Sequence, residues 1–152
     1  MYQKLIHFLA LIAGGLRPIF LLIVRLYWGW QFFLTGKGKL MNLDRTSGYF
    51  ASLHIPLPKV NAILAGTTEL VFGLLFLVGL GGRLVPLPLI GLLVVAYITS
   101  EQPALHAFFS DPDKFLGADP FLFLFAAVII FIFGPGKLSL DALLGKKTAA
   151  TD

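Results

Sequence analysis

Apolar residues fall in long runs along this chain, broken by glycine, proline and charge at intervals that leave little room for anything but helices. A first short run, residues 4–13, is interrupted by Gly14 and Gly15. The four longer ones cover residues 16–36, 60–80, 84–100 and 121–133. Runs near 20 residues are the length an α-helix needs to cross a hydrocarbon core about 30 Å thick. Pro18 is tolerated in the first turn of the first run, and Lys37 and Lys39 sit where lysines reach back to a headgroup region. Gly81-Gly82-Arg83 is a tight connection that makes the second and third spans antiparallel neighbours. The fourth span is short and has to borrow length from the loop before it or sit in a thinned bilayer. Gly134-Pro135-Gly136 stops it. The pattern predicts an all-α, transmembrane four-helix bundle forming one domain over residues 1–152.

Between these runs, the loop of residues 37–59 carries Tyr49, Phe50 and His54, which suits a segment lying on the membrane surface with a short interfacial helix in it. The tail LSLDALLGKK has apolar positions at helical spacing and a basic end, as a short interfacial helix would. A third interfacial helix is expected at the N-terminus, where LIHFLALIA behind Lys4 reads as an extension of the first span or as a signal-peptide core.

Composition agrees with the pattern: 57% of the 152 residues are hydrophobic and 13% charged. A water-soluble fold of this size could not hide that surface, and no soluble catalytic domain fits beside the spans. Without cysteine, thiolate catalysis, iron–sulfur ligation and disulfides are excluded within the chain. The net charge of +4 is spread over loops and helix ends, pointing to anionic lipid headgroups and not to nucleic acid. With four spans, Lys4, Arg17, Arg83, Lys137, Lys146 and Lys147 lie on the side of the termini, against Lys37, Lys39, Arg45, Lys59 and Lys114 opposite. This near balance is read as cytoplasmic termini.

Two ionisable residues fall inside spans, Arg25 and Glu69. Each costs about 2.5–3.5 kcal/mol at a helix centre, so both should face the bundle interior. Arg25, Gly29, Phe32 and Gly36 share one face of the first span; Gly66, Glu69 and Gly73 share one of the second. Counting from the loop puts Glu69 near the level of Gly29, about one turn from Arg25. The two charges then form a long bridge, a bridge through water, or a polar gap holding a ligand headgroup; a structural pair that fixes helix register is the plain alternative. Trp28, beside Arg25, is placed to stack on a planar ring or simply to pack, and Tyr97 and Glu101 widen the polar region near Glu69. His54 and His106 lie on one side of the membrane, but nothing makes them a metal or haem pair.

The pieces RLYWGWQFFLTGKGKL, GTTELVFGLLFLVGLGGR and GPGKLSLD, in that order, resemble the DoxX family of small bacterial four-helix membrane proteins. The resemblance implies family-type positions at Arg25, Gly29, Gly36 and Lys39, at Glu69, Gly73, Gly79 and Arg83, and at Gly136, Ser139 and Asp141. It also implies a multi-pass protein of the bacterial inner membrane, a redox-associated subunit binding quinone or a small polar ligand. The chain itself carries no cofactor motif, so electrons would come from a partner in a membrane oxidoreductase. The expected ligand-binding set is Arg25, Glu69, Lys39, Trp28, Tyr97 and Glu101, with no metal. A non-catalytic scaffold recruiting soluble oxidoreductases is the alternative, and a small transporter, which four helices would form only as a homo-oligomer, is the third.

Overall fold

The computed structural model describes residues 2–145, and every regular element among them is a helix. They run in order as α1 (Tyr2–Met41), α2 (Leu43–Ser52), α3 (Pro58–Val78), α4 (Pro86–Thr99), α5 (Gln102–His106), α6 (Pro112–Leu116), α7 (Pro120–Phe133) and α8 (Leu140–Leu143). The expected all-α membrane bundle is what forms, with α1, α3, α4 and α7 as its long members. Among the described residues, α1 and α3 are long and apolar enough to cross a membrane by themselves. α4 and α7, at 14 residues each, reach about 21 Å, shorter than a typical hydrocarbon core.

α1 is one continuous helix of 40 residues, about 60 Å long, and absorbs the N-terminal apolar run as an extension of the first span. Gly14 and Gly15 lower helix propensity without ending the helix, and Pro18, expected in a first turn, lies inside α1, where it gives up its own N–H bond and crowds the preceding turn's carbonyl without breaking the helix. The extension is exposed along residues 2–16, and at Arg17 it first meets the bundle, where the guanidinium donates from Nη2 to Phe133 O at 3.3 Å and lies over the Phe133 ring.

Burial runs opposite to that of a soluble bundle. On α1 the inward residues are Leu21, Val24, Arg25, Gly29, Phe32 and Gly36, whereas Ile19, Phe20, Ile23, Leu26 and Trp30 face outward. Glycine and charge inside with large apolar side chains outside is the arrangement a hydrocarbon solvent selects. α1 and α3 meet through two glycines each. A Cβ on Gly29 would stand 2.6 Å from Leu77 Cα, one on Gly36 would meet the Gly66 carbonyl at 2.7 Å, and one on Gly73 would meet Phe33 N at 2.8 Å. Seven residues separate the glycines on each helix, so the pair repeats every two turns and keeps the antiparallel backbones in close contact. Phe32, Phe76, Leu89, Ala126, Ala127 and Ile130 fill the centre among the four long helices.

That register moves Glu69. α1 continues to Met41, and the short helix expected in the first loop forms as α2 but packs on α3. Glu69 therefore lies level with Lys37, about 18 Å along the helix from Arg25, instead of one turn away. At the other end, α3 closes in a Schellman motif: Leu80 N–H donates to Leu75 O at 3.0 Å and Gly79 N–H to Phe76 O at 3.2 Å. Gly79, Gly81 and Gly82 take φ of 71°, 89° and 58°, conformations that make the tight turn into α4.

Candidate ligand-binding site

The structure splits the buried charges into two sites at opposite ends of the α1–α3 contact. At the turn end, Arg25 is 1% exposed and donates from Nη2 to the carbonyl of Leu138 in the segment after α7. That segment is held by Asp141, whose Oδ1 accepts from Gly81 N–H at 3.1 Å and whose own N–H donates to Gly79 O at 3.1 Å. Ser139 caps α8 by accepting from Ala142 N–H and donates to Gly136 O at 2.6 Å. A Cβ at Gly79 would collide with the guanidinium, so the glycine is needed for contact as well as for its φ. Arg25 Nε and Nη1 and Asp141 Oδ2 have no protein partner among the described residues. This cluster is closed over by chain and reads as an anchor: one buried charge on α1 and one on the tail clamp the α3–α4 turn between them.

At the other end Lys39 Nζ meets Glu69 Oε2 at 2.5 Å, with the lysine side chain 29% and the carboxylate 6% exposed. The pair stands in a cavity of about 680 Å³ between α1, α2, α3, α4 and the start of α7. Leu64, Leu92, Leu93, Val95 and Phe123 supply apolar wall, Tyr49, Phe50 and Leu53 of α2 cover one side, and Glu101 and Asp119 stand at the loop end. Several polar lining groups have their donors committed elsewhere. Thr35 donates to Phe32 O, Thr99 to Val95 O, Ser100 to Ala96 O and Asn61 to Pro56 O. What the three hydroxyls present to the cavity is therefore acceptor capacity, Asn61 keeps a second amide N–H, and Lys39 is the charged donor.

Of the residues expected to bind a ligand, Lys39, Glu69 and Glu101 line this one cavity. Arg25 belongs to the other cluster. Trp28 packs edge-on against Phe123 at 4.9 Å, one ring removed from the cavity. Tyr97 is buried against Phe115 and donates to its carbonyl at 3.0 Å, fastening α6 to α4. Position at the end of the span gives Lys39 only a snorkelling role, and the expected ligand set includes it without a partner, although the stripe Arg25, Gly29, Phe32, Gly36 reaches it after three more residues. Asp141 as the anchor on the turn beside Arg25 had no local signal beyond its place in GPGKLSLD.

Residues 20–102, more than half of the chain, match the DoxX family. The chain belongs to the DoxX family. Similar curated proteins are the inner membrane protein YphA of Escherichia coli, 31% identical over 84% of this chain and 92% of that one, and the uncharacterized membrane protein Rv3486 of Mycobacterium tuberculosis, 31% identical over 88% and 86%. No solved structure matches the chain. The DoxX match contains both Arg25 and the Lys39–Glu69 pair but ends before Asp141, so the tail that anchors the turn lies outside it.

Proposed function

We propose that this DoxX-family membrane protein binds a small, membrane-dissolved molecule with a polar ring head, of the quinone class, at Lys39–Glu69, as the membrane subunit of a redox system. The observation that carries this reading is the nearly buried ion pair at the wall of an apolar, acceptor-lined cavity. A charged pair there has a use beyond fixing register, since the α1–α3 register is already set by interlocked glycines. The residues fit such a head: the Lys39 ammonium keeps two N–H donors for a carbonyl oxygen, and Glu69, Glu101 and the hydroxyl lone pairs can accept from ring hydroxyls. When bound, a quinone would supply the two-electron chemistry that the chain lacks, with electrons from a protein partner. Glu69 would hold or release a proton at its Oε atoms, and Lys39 would offset charge developing on the bound oxygen. An inner-membrane location with cytoplasmic termini suits this role.

Titration of the detergent-solubilised protein with a water-soluble benzoquinone, followed by tryptophan fluorescence, tests the reading. Trp28 touches cavity-lining Phe123 and should report binding. Saturable quenching that drops at least tenfold in affinity in Lys39→Met and Glu69→Gln, and is retained in Tyr2→Ala, is expected. Equal quenching in wild type and both cavity variants would sink the proposal.

A further inference from the structure

The wall of the Lys39–Glu69 cavity has a side facing the hydrocarbon. Leu64 on α3 and Val95 on α4 both line it, yet they are 62% and 54% exposed. Gly91, on the same wall, lies midway along α4 and is exposed as well. α3 and α4 are joined at the Gly81-Gly82 turn and close over Phe76 and Leu89, but at the level of Gly91 and Val95 the cavity stands between them.

Gly91 differs from the other glycines of α3 and α4. Gly66 and Gly73 are needed because a Cβ there would strike Leu40 or the α1 backbone, whereas a Cβ on Gly91 would meet nothing within 4 Å. Glycine in a helix interior carries a propensity penalty, and here no close helix contact uses it. Its effect is to leave a notch in the apolar wall, in a helix whose other outward residues include Leu87, Val94, Val95 and Ile98.

We infer that the gap between α3 and α4 at Gly91 is a lateral entrance from the bilayer, and that the ligand of the Lys39–Glu69 site is an amphiphile whose apolar tail lies in this notch. The inference rests on the ligand reading above and names the ligand's second half. A molecule already dissolved in lipid reaches the ion pair through the notch without its tail leaving apolar surroundings, and only its head exchanges environment. The side of the cavity toward Glu101 and Asp119 is polar and offers a tail no such path.

The test compares one benzoquinone head with and without a decyl tail, titrated against the purified protein by tryptophan fluorescence, in wild type, Gly91→Ala, Gly91→Leu and Gly91→Phe. Leu87→Phe, exposed on α4 one turn before Gly91 and not itself part of the cavity lining, serves as control. All Gly91 replacements exchange glycine for a better helix former in open space, so helicity and melting temperature should hold or rise. Affinity for the tailed quinone should fall progressively from Ala to Phe, at least tenfold at Phe. The tailless head should stay within about twofold of wild type, as should both ligands in the control, well inside a tenfold change in affinity. Undiminished binding of the tailed quinone to Gly91→Phe overturns the entrance while leaving the head site standing. Equal loss of both quinones also overturns it, because the new ring would then be filling the head site. Failure of wild type to bind either probe removes the head site itself, and the entrance with it.

Discussion

Single atoms decide how this bundle tolerates change. A side chain at Gly36 would run into the Leu70 amide and the Gly66 carbonyl, both backbone and unable to swing aside. Gly36→Leu is therefore expected to separate α1 from α3, at a cost of about 3 kcal/mol or more, the upper end of overpacking effects, read as a large fall in melting temperature in detergent. Gly91→Leu, by the same assay, should cost nothing. The Lys39–Glu69 pair gives a second contrast. Lys39→Met leaves a carboxylate that is 6% exposed without its partner, and loss of one member of a buried pair typically costs about 3–5 kcal/mol. The half-open lysine and the neighbouring cavity place this case at or below the low end of that range. Lys39→Met combined with Glu69→Leu should recover most of the lost stability, and a thermal melt of the three variants checks the sign. A double variant no more stable than Lys39→Met would mean that the desolvated charge is not what destabilises the single one.

Among the elements, the segment after α7 does more than trail from the bundle. Through Leu138 and Asp141 it occupies the guanidinium of Arg25 and backbone groups of the α3–α4 turn, and Ser139 holds the segment's own shape by its bonds to Gly136 O and Ala142 N–H. Asp141→Ala removes the acceptor of Gly81 N–H and the charge nearest a buried arginine, and should cost about 2–4 kcal/mol. Limited proteolysis should then release the tail, while the cavity at the opposite end keeps its ligand affinity in molecules still folded. Loss of affinity equal to that of Glu69→Gln would show that the two polar sites are coupled. The N-terminal half of α1 makes the opposite case. Residues 2–16 are exposed along their whole length, so their removal should shift bundle stability by no more than about 0.5 kcal/mol, measured as melting temperature after reconstitution. A larger fall would mean that this half of α1 is packed in the membrane-bound protein.

At the scale of the whole molecule, the outward apolar surface and the inward glycines and charges describe a protein whose solvent is lipid. The four long helices, the class of fold and the tight turn at Gly81-Gly82 are legible in the sequence, because hydrophobic run length and helix-breaking residues are local properties that backbone hydrogen bonding in hydrocarbon enforces strongly, whereas α5 and α6 lie in the segment read as the third loop. The inward placement of Arg25 and Glu69 was legible too, from the cost of exposing charge to lipid. Which charge meets which was not. Pairing depends on the axial register of α1 against α3, and that register is set by how far α1 continues past Gly36, by α2 packing on α3, and by glycine contacts that form only when both helices are present. A shift of eight residues along one helix, about 12 Å, carried Glu69 from the neighbourhood of Arg25 to Lys39. The sequence by itself determined a helical membrane bundle with buried charge; the tertiary structure alone decided that this charge forms two separate sites, one sealed by the tail and one opening into a cavity, because distances between helices are fixed by packing and not by the order of residues along any one of them.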